Sequence, residues 1–279
     1  MDEHFRAFSF VDRITEVEVG VRIRGRYTIP QQIDDFPPSL VAEAVGQLAA
    51  WSAMAKLDFQ YRPVAGLAAR IELLEPVQSG QTLDLAAELE TVETDAVGYS
   101  GTASVDGKPV IRLEHCVGPM LPQEDFDEPQ GLRERFAFLQ KHDAAPGGFK
   151  GVPKVPLEHI GGETGQWKRA GLHVPESAPF FADHFPRRHV FPGTLLMHSN
   201  LQLAVALAGE IPSSSNGPWK LAAVSDVKLR SFTPPGEILE CEVRLDECSD
   251  TNARLTVETK KGKKTVGGAK VWLSPEVRS

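Results

Sequence analysis

The chain has 279 residues, of which 41% are hydrophobic, a size that fits one large or two medium globular domains. Its net charge of −8 argues against non-specific nucleic-acid binding, which needs a basic surface. The three cysteines are far apart and form no CxxC, which predicts neither a disulfide framework nor a zinc site. No apolar run is long enough to span a bilayer, and the opening, MDEHFRAF, lacks the apolar core of a signal peptide. We therefore expect a cytoplasmic protein.

In chain order, the first predicted helix runs from Leu40 to about Leu57. A Pro pair suits its first turn, and its run of Ala, Leu and Val is apolar on almost all sides, which predicts a buried helix. Alternating segments follow and predict antiparallel strands: ARIELLEPV, TLDLAAELETV and GYSGTASV with PVIRLEHCV.

A charged stretch separates these strands from a second, similar series. It holds one amphipathic helix candidate, GLRERFAFLQKHD, and a Gly- and Pro-containing linker, AAPGGFKGVP. The second buried helix is predicted from Thr194 to about Gly209. Its strands are AAVSDVKLRSF, ILECEVRLDEC, ARLTVETKK and TVGGAKVWL.

The two series form an internal repeat with an offset of 155 residues, as between Phe36 and Phe191. Pro37, Leu40 and Gln47 keep the same offset to Pro192, Leu195 and Gln202. We therefore predict an α+β protein of two tandem units, each with one buried helix against an antiparallel sheet. The predicted boundaries are 1–122 for the first unit, 123–156 for a helical connector and 157–279 for the second unit.

One segment, FFADHFPRRHVFPGTLLMHSNLQ, resembles the active-site segment of the 3-hydroxyacyl-acyl-carrier-protein dehydratases. It has their His-Phe-Pro, a later Pro-Gly and a Gln at the expected distance. The opening FSFVDRITEVEVGVRIRGRYTI is similar to their first strands. The resemblance implies a hot-dog fold, a helix wrapped by an antiparallel sheet, and here a double hot-dog. It also implies a dehydratase acting without a metal or cofactor.

The second unit keeps only part of the family's site. His184 matches the catalytic histidine and Gly193 the helix-opening glycine, whereas His198 stands where the family has its carboxylate, with Gln202 four residues later.

The first unit has lost the complementary part. Its equivalent of His-Phe-Pro is Thr-Ile-Pro, beginning at Thr28, yet it has Glu43 at the carboxylate position and Gln47 four residues later on the same helical face.

In the family, the histidine and the carboxylate of each site come from the two partners of a dimer. The resemblance thus predicts one composite site of His184 and Glu43, and a vacated one of His198, Thr28 and Gln202. His184 would act as the base and Glu43 as the acid. The Gly193 N–H would bind the developing enolate oxygen.

Supporting roles follow from the same resemblance: the Val190 carbonyl would hold the His184 ring, and Gln47 would brace Glu43. Arg187 and Arg188 are either solvated or a patch that attracts an acidic carrier protein or the phosphates of coenzyme A. The expected partner is thus an acyl-carrier-protein or coenzyme A thioester in fatty-acid or polyketide-type synthesis.

Two other functions remain open at this level, a hot-dog thioesterase and a non-catalytic acyl-binding partner, because a fold does not fix a function. Chain length of the substrate and further homo-oligomerisation are also open.

Overall fold

A computed structural model describes residues 4–145, 148–212 and 217–276. Residues 146–147, which belong to the predicted linker, lie outside the described residues, as do 1–3, 213–216 and 277–279 of the two predicted units.

The first unit consists of one long helix and the strands that surround it. Its elements are β1 (Arg13–Glu18), β2 (Arg22–Thr28), α1 (Pro38–Lys56), β3 (Tyr61–Pro63), β4 (Leu67–Leu73), β5 (Thr82–Val92), β6 (Ala96–Val105) and β7 (Lys108–Pro122). The connector contributes α2 (Pro129–Lys141), close to the predicted helix candidate.

Helix α1 begins at Pro38, two residues before the predicted start, because a proline at the first helical position lacks only an N–H that would have no partner there. It ends where Asp58 and Phe59 adopt positive φ angles of 48° and 54°. Most of its side chains are buried, including Leu40, Val45 and Leu48, so this helix forms the centre of the unit as its composition predicted.

The second unit repeats this arrangement. Its elements are β8 (Leu157–Glu163), β9 (Trp167–His173), α3 (Gly193–Ala208), β10 (Trp219–Leu229), β11 (Ile238–Cys248), β12 (Ala253–Lys261) and β13 (Lys264–Pro275). Strands β8 and β9, rich in Gly and charged residues, had not been predicted from alternation.

One continuous sheet joins the two units, in the order β1-β2-β5-β6-β7-β4-β10-β13-β12-β11-β9-β8, and β3 pairs with β7 beside it. The junction is the antiparallel pair of β4 and β10, where Ile71 lies opposite Val224. Read outward from this junction, each unit shows the same strand order. The predicted double hot-dog fold is therefore confirmed.

The units differ in what covers their central helices. Helix α2 packs on the end of α1, where Phe136 stacks on Trp51 with ring centroids 6.1 Å apart. On α3, Gln202 and Val205 stay exposed.

Candidate active site

A cavity of about 250 Å³ lies between the two units. Both central helices reach it: Glu43 and Gln47 from α1, Gly193 and Thr194 from α3. His184 lines the same cavity. The fold thus brings together the two groups that the sequence assigned to one composite site, although 141 positions separate them in the chain.

His184 is held by its own loop. Its Nδ1 lies 3.0 Å from the Val190 carbonyl oxygen, and the Val190 N–H donates to the His184 carbonyl at 2.9 Å. A carbonyl oxygen only accepts, so Nδ1 carries the proton and the neutral ring leaves Nε2 as its basic atom. Phe185 stacks on the ring with centroids 4.2 Å apart, and Phe8 meets it edge-on at 5.7 Å.

Burial lowers the pKa of His184 below its ordinary value of 6.5, and the negative charge of Glu43 opposes part of this shift. The imidazole is therefore neutral at pH 7, the state in which it can take a proton.

Both carboxylate oxygens of Glu43 are hydrogen bonded. The Gln47 amide donates to Oε1 at 2.9 Å, and the Thr194 hydroxyl donates to Oε2 at 2.8 Å. Gln47 is itself fixed, since its amide also donates to the Phe8 carbonyl at 2.9 Å and its Oε1 accepts the Phe10 N–H at 2.8 Å. Because a hydroxyl can also accept, Thr194 can stay bonded to Glu43 in either protonation state of the carboxyl group.

Gly193 stands at the first position of α3, where backbone N–H groups have no intrahelical acceptor and the helix dipole favours negative charge. A Cβ built at this position would meet Leu229 Cδ1 at 2.4 Å. A side chain here would force Leu229 to move, whereas glycine leaves room for a bound carbonyl oxygen to approach the N–H.

The residues of the predicted vacated site do not line this cavity. Burial lowers the pKa of the half-buried His198, and the charge of Asp35 opposes the shift. The Thr28 hydroxyl lies 3.1 Å from that of Thr82, and Gln202 is exposed.

Arg187 and Arg188 are exposed, but both have partners in the described part of the chain. Arg187 forms an ion pair with Glu128 and donates to the Glu124 carbonyl at 3.0 Å. Arg188 lies over the Phe232 ring, with Cζ 4.6 Å from its centroid. These contacts connect the His-Phe-Pro loop to the connector and to the rest of the second unit.

Three further residues of the cavity were missed by the sequence reasoning. Thr194 sits directly after the recognised Gly193, so its place in the motif was a usable signal. Asp183, beside His184, accepts the N–H groups of Phe5 and Phe8. Arg62 stands in the short strand β3, which carries no motif.

The ApeI-like family, described as ApeI dehydratase, matches residues 163–269, within the second unit. The 3-hydroxyacyl-[acyl-carrier-protein] dehydratase FabZ of Roseiflexus sp. (strain RS-1) is 32% identical over 85 residues, which are 30% of this chain and 59% of that protein. The second unit of this chain is therefore similar to dehydratases of the ApeI-like and FabZ kinds. The chain spans between about half and three fifths of the length of the curated relatives it matches.

Solved structures place both units of this chain in the hot-dog fold. A putative oleoyl thioesterase from Lactobacillus plantarum aligns over 94% of this chain and 100% of its own, with a TM-score of 0.61 and 10% identity. A MaoC-like dehydratase aligns over 93% and 99%, with a TM-score of 0.51 and 13% identity. At such identities the likeness concerns the fold alone. No described helix is long and apolar enough to cross a membrane.

Proposed function

We propose that this chain is a hydro-lyase that removes water from a 3-hydroxyacyl thioester and forms a trans-2-enoyl thioester at one composite site. The observation that carries the proposal is the meeting of His184, Glu43 and the N-terminus of α3 around one cavity. It is also supported by the match of residues 163–269 to the ApeI-like dehydratase family.

The substrate's thioester carbonyl would accept a hydrogen bond from the Gly193 N–H. Nε2 of His184 takes the proton from the carbon beside that carbonyl, and the negative charge that develops on the oxygen is stabilised at the helix N-terminus. Nδ1 stays bonded to the Val190 carbonyl, which also stabilises the imidazolium that forms.

Glu43, in its protonated form, gives its proton to the departing hydroxyl group. Water leaves, the carbon–carbon double bond forms, and the carboxylate that remains accepts from Gln47 and Thr194. Return of the proton from His184 to Glu43 through solvent restores the starting state. The reaction is redox-neutral and moves only protons and water, so these side chains can supply its chemistry.

The substrate's carrier would be an acyl carrier protein or coenzyme A, since the curated relative acts by its name on an acyl-carrier-protein thioester. A place in fatty-acid or polyketide-type synthesis follows from that substrate class. Arg187 would attract an acidic carrier protein only through the positive charge that its ion pair with Glu128 leaves unneutralised.

The thioesterase alternative uses the same helix differently. Glu43 with Gln47 would activate water against the thioester carbonyl, and His184 would be dispensable. A non-catalytic acyl-binding protein would need neither group.

One assay separates the three functions. The chain is incubated with 3-hydroxybutyryl-pantetheine thioester, and both enoyl absorbance and free thiol are followed. We expect enoyl absorbance without thiol, lost in His184→Ala. Thiol release that persists in His184→Ala would favour the thioesterase, and binding without either signal would favour the acyl-binding protein.

A further inference from the structure

Arg62 is a partly buried cation that the chemistry above does not use. Its side chain lines the catalytic cavity, with Cζ 4.3 Å from the centroid of the Phe185 ring. That ring in turn stacks on His184, so a single aromatic ring separates the guanidinium from the imidazole. Nη1 is buried and has no hydrogen-bond partner among the described residues.

Negative charge lies close to Arg62, but one of its hydrogen-bond donors has no acceptor. Three carboxylates, those of Asp127, Asp183 and Glu43, lie near enough to favour its protonated form. Each has bonds of its own: Asp127 lies 2.9 Å from His4 Nε2, Asp183 accepts two backbone N–H groups, and Glu43 is bonded on both oxygens. Burial lowers the pKa of Arg62 to about 10, so it remains a cation at neutral pH.

A buried donor without a partner is unfavourable and calls for an explanation. Here the donor belongs to a partly accessible side chain on the cavity wall. A rotation of the guanidinium would turn Nη1 toward the cavity, where a bound molecule can supply the missing acceptor. An anionic group would approach three carboxylates at once, whereas a neutral oxygen gains the charged hydrogen bond without that repulsion.

We propose that Arg62 binds a neutral carbonyl oxygen of the substrate in the catalytic cavity. This rests on the proposed thioester substrate, which offers such oxygens in two places: the thioester itself and the amides of the pantetheine arm. Arg62 is then a substrate-binding residue that sets which thioesters enter the site, beside the pair that performs the chemistry.

The test is a binding measurement on the full chain with butyryl-pantetheine thioester, which has no hydroxyl group to lose. Arg62→Met keeps an unbranched chain over Phe185 but removes the donors. We expect its dissociation constant to rise about tenfold, the size typical of losing a hydrogen bond to a charged group. A dissociation constant equal to that of the wild type would overturn the proposal.

Two smaller probes locate the oxygen. Free pantetheine carries the amide carbonyls alone, and methyl thiobutyrate carries the thioester carbonyl alone. The probe whose affinity Arg62→Met weakens contains the acceptor, and either result supports the proposal.

Two further variants guard against a merely structural effect. Arg62→Lys keeps a charged donor and should retain part of the affinity. Arg133→Met removes an arginine that lies outside the cavity, over Phe59, and should bind like the wild type. If Arg62→Lys loses as much affinity as Arg62→Met, and both variants melt at a lower temperature, Arg62 has only a structural role.

Failure of this proposal is distinguishable from failure of the proposed function. Wild-type protein that binds butyryl-pantetheine through Arg62 but forms no enoyl product disproves dehydration alone. Wild-type protein that dehydrates 3-hydroxybutyryl-pantetheine, while Arg62→Met binds normally, disproves the role of Arg62 alone.

Discussion

Thr194, the second residue of α3, donates a hydrogen bond of 2.8 Å to Glu43 of α1, so a hydroxyl of the second unit orients the proposed acid of the first. This bond is a direct polar link between the central helices at the catalytic cavity. It makes the site depend on how the units dock, and several measurable consequences follow from that dependence.

Thr194→Val keeps the shape of the side chain and removes only the hydroxyl. We expect kcat/KM for dehydration to fall about tenfold, because Glu43 loses one of the two bonds that fix its orientation. Thr194→Ser is the matched control and should stay close to the wild type. Equal activity of the Val and Ser variants would show that the bond does not matter to the reaction.

His184 and Glu43 should act as one unit. His184→Ala and Glu43→Gln are each expected to remove most of the dehydration activity, by about 10²–10⁴-fold. The double variant should be little worse than either single one, because the losses of groups that work together are not additive. Steady-state kinetics of the three variants checks this.

His198→Ala is the control variant, because His198 lies on α3 but outside the cavity. The activity of this variant should stay within a few fold of the wild type. A loss as large as that of His184→Ala would contradict the composite site.

Dehydration should depend on pH through His184. Burial lowers its pKa, so the base is already neutral at pH 7, and the loss of kcat/KM that comes from protonating His184 should begin only as the pH drops below the ordinary value of 6.5. Glu43 is the largest influence that opposes this shift. In Glu43→Gln, the pKa of His184 measured by NMR titration should therefore fall further. A rise in that pKa would show that the two groups do not interact as described.

Gly193→Ala should harm both stability and activity. Its Cβ would overlap Leu229, and relief requires moving that side chain or the start of α3 with its N–H groups. Overpacking of this kind destabilises by about 1–3 kcal/mol. Leu229→Ala in the same chain removes the obstacle and should recover part of the activity, which thermal unfolding and kinetics together would show. If the activity does not recover, glycine is needed at position 193 for a reason other than the room that Leu229 occupies.

Arg187→Met tests whether Arg187 binds the carrier protein or stabilises the His-Phe-Pro loop. Because Arg187 pairs with Glu128 and the Glu124 carbonyl, we expect activity to fall to a similar extent with a carrier-protein thioester and with a pantetheine thioester. Glu128→Gln removes the same ion pair from the other side and should act alike. A deficit confined to the carrier-protein substrate, and smaller at high salt, would instead favour carrier capture.

The repeat, the two buried helices and the placement of His184 and Glu43 at one cavity could be predicted from the sequence. Apolar composition marks a helix that must be surrounded by other chain, and the motif spacing fixes which residues stand at equivalent places in both units. Helix bounds were off by one or two residues, because prolines and a glycine rather than apolar residues begin them. Strands β8 and β9 were not predicted because apolar and polar residues do not alternate regularly along them.

Only the tertiary structure decided what surrounds that pair. Thr194 reaches Glu43, Arg62 enters the cavity from a three-residue strand, and Arg187 binds the connector. These contacts join residues far apart in the chain, and no local pattern encodes them. The sequence by itself determined most of the elements and which residues are chemically able to react. Docking of the two units across β4 and β10 decided which of them meet, because side-chain contacts depend on distances in space that periodicity along the chain does not contain.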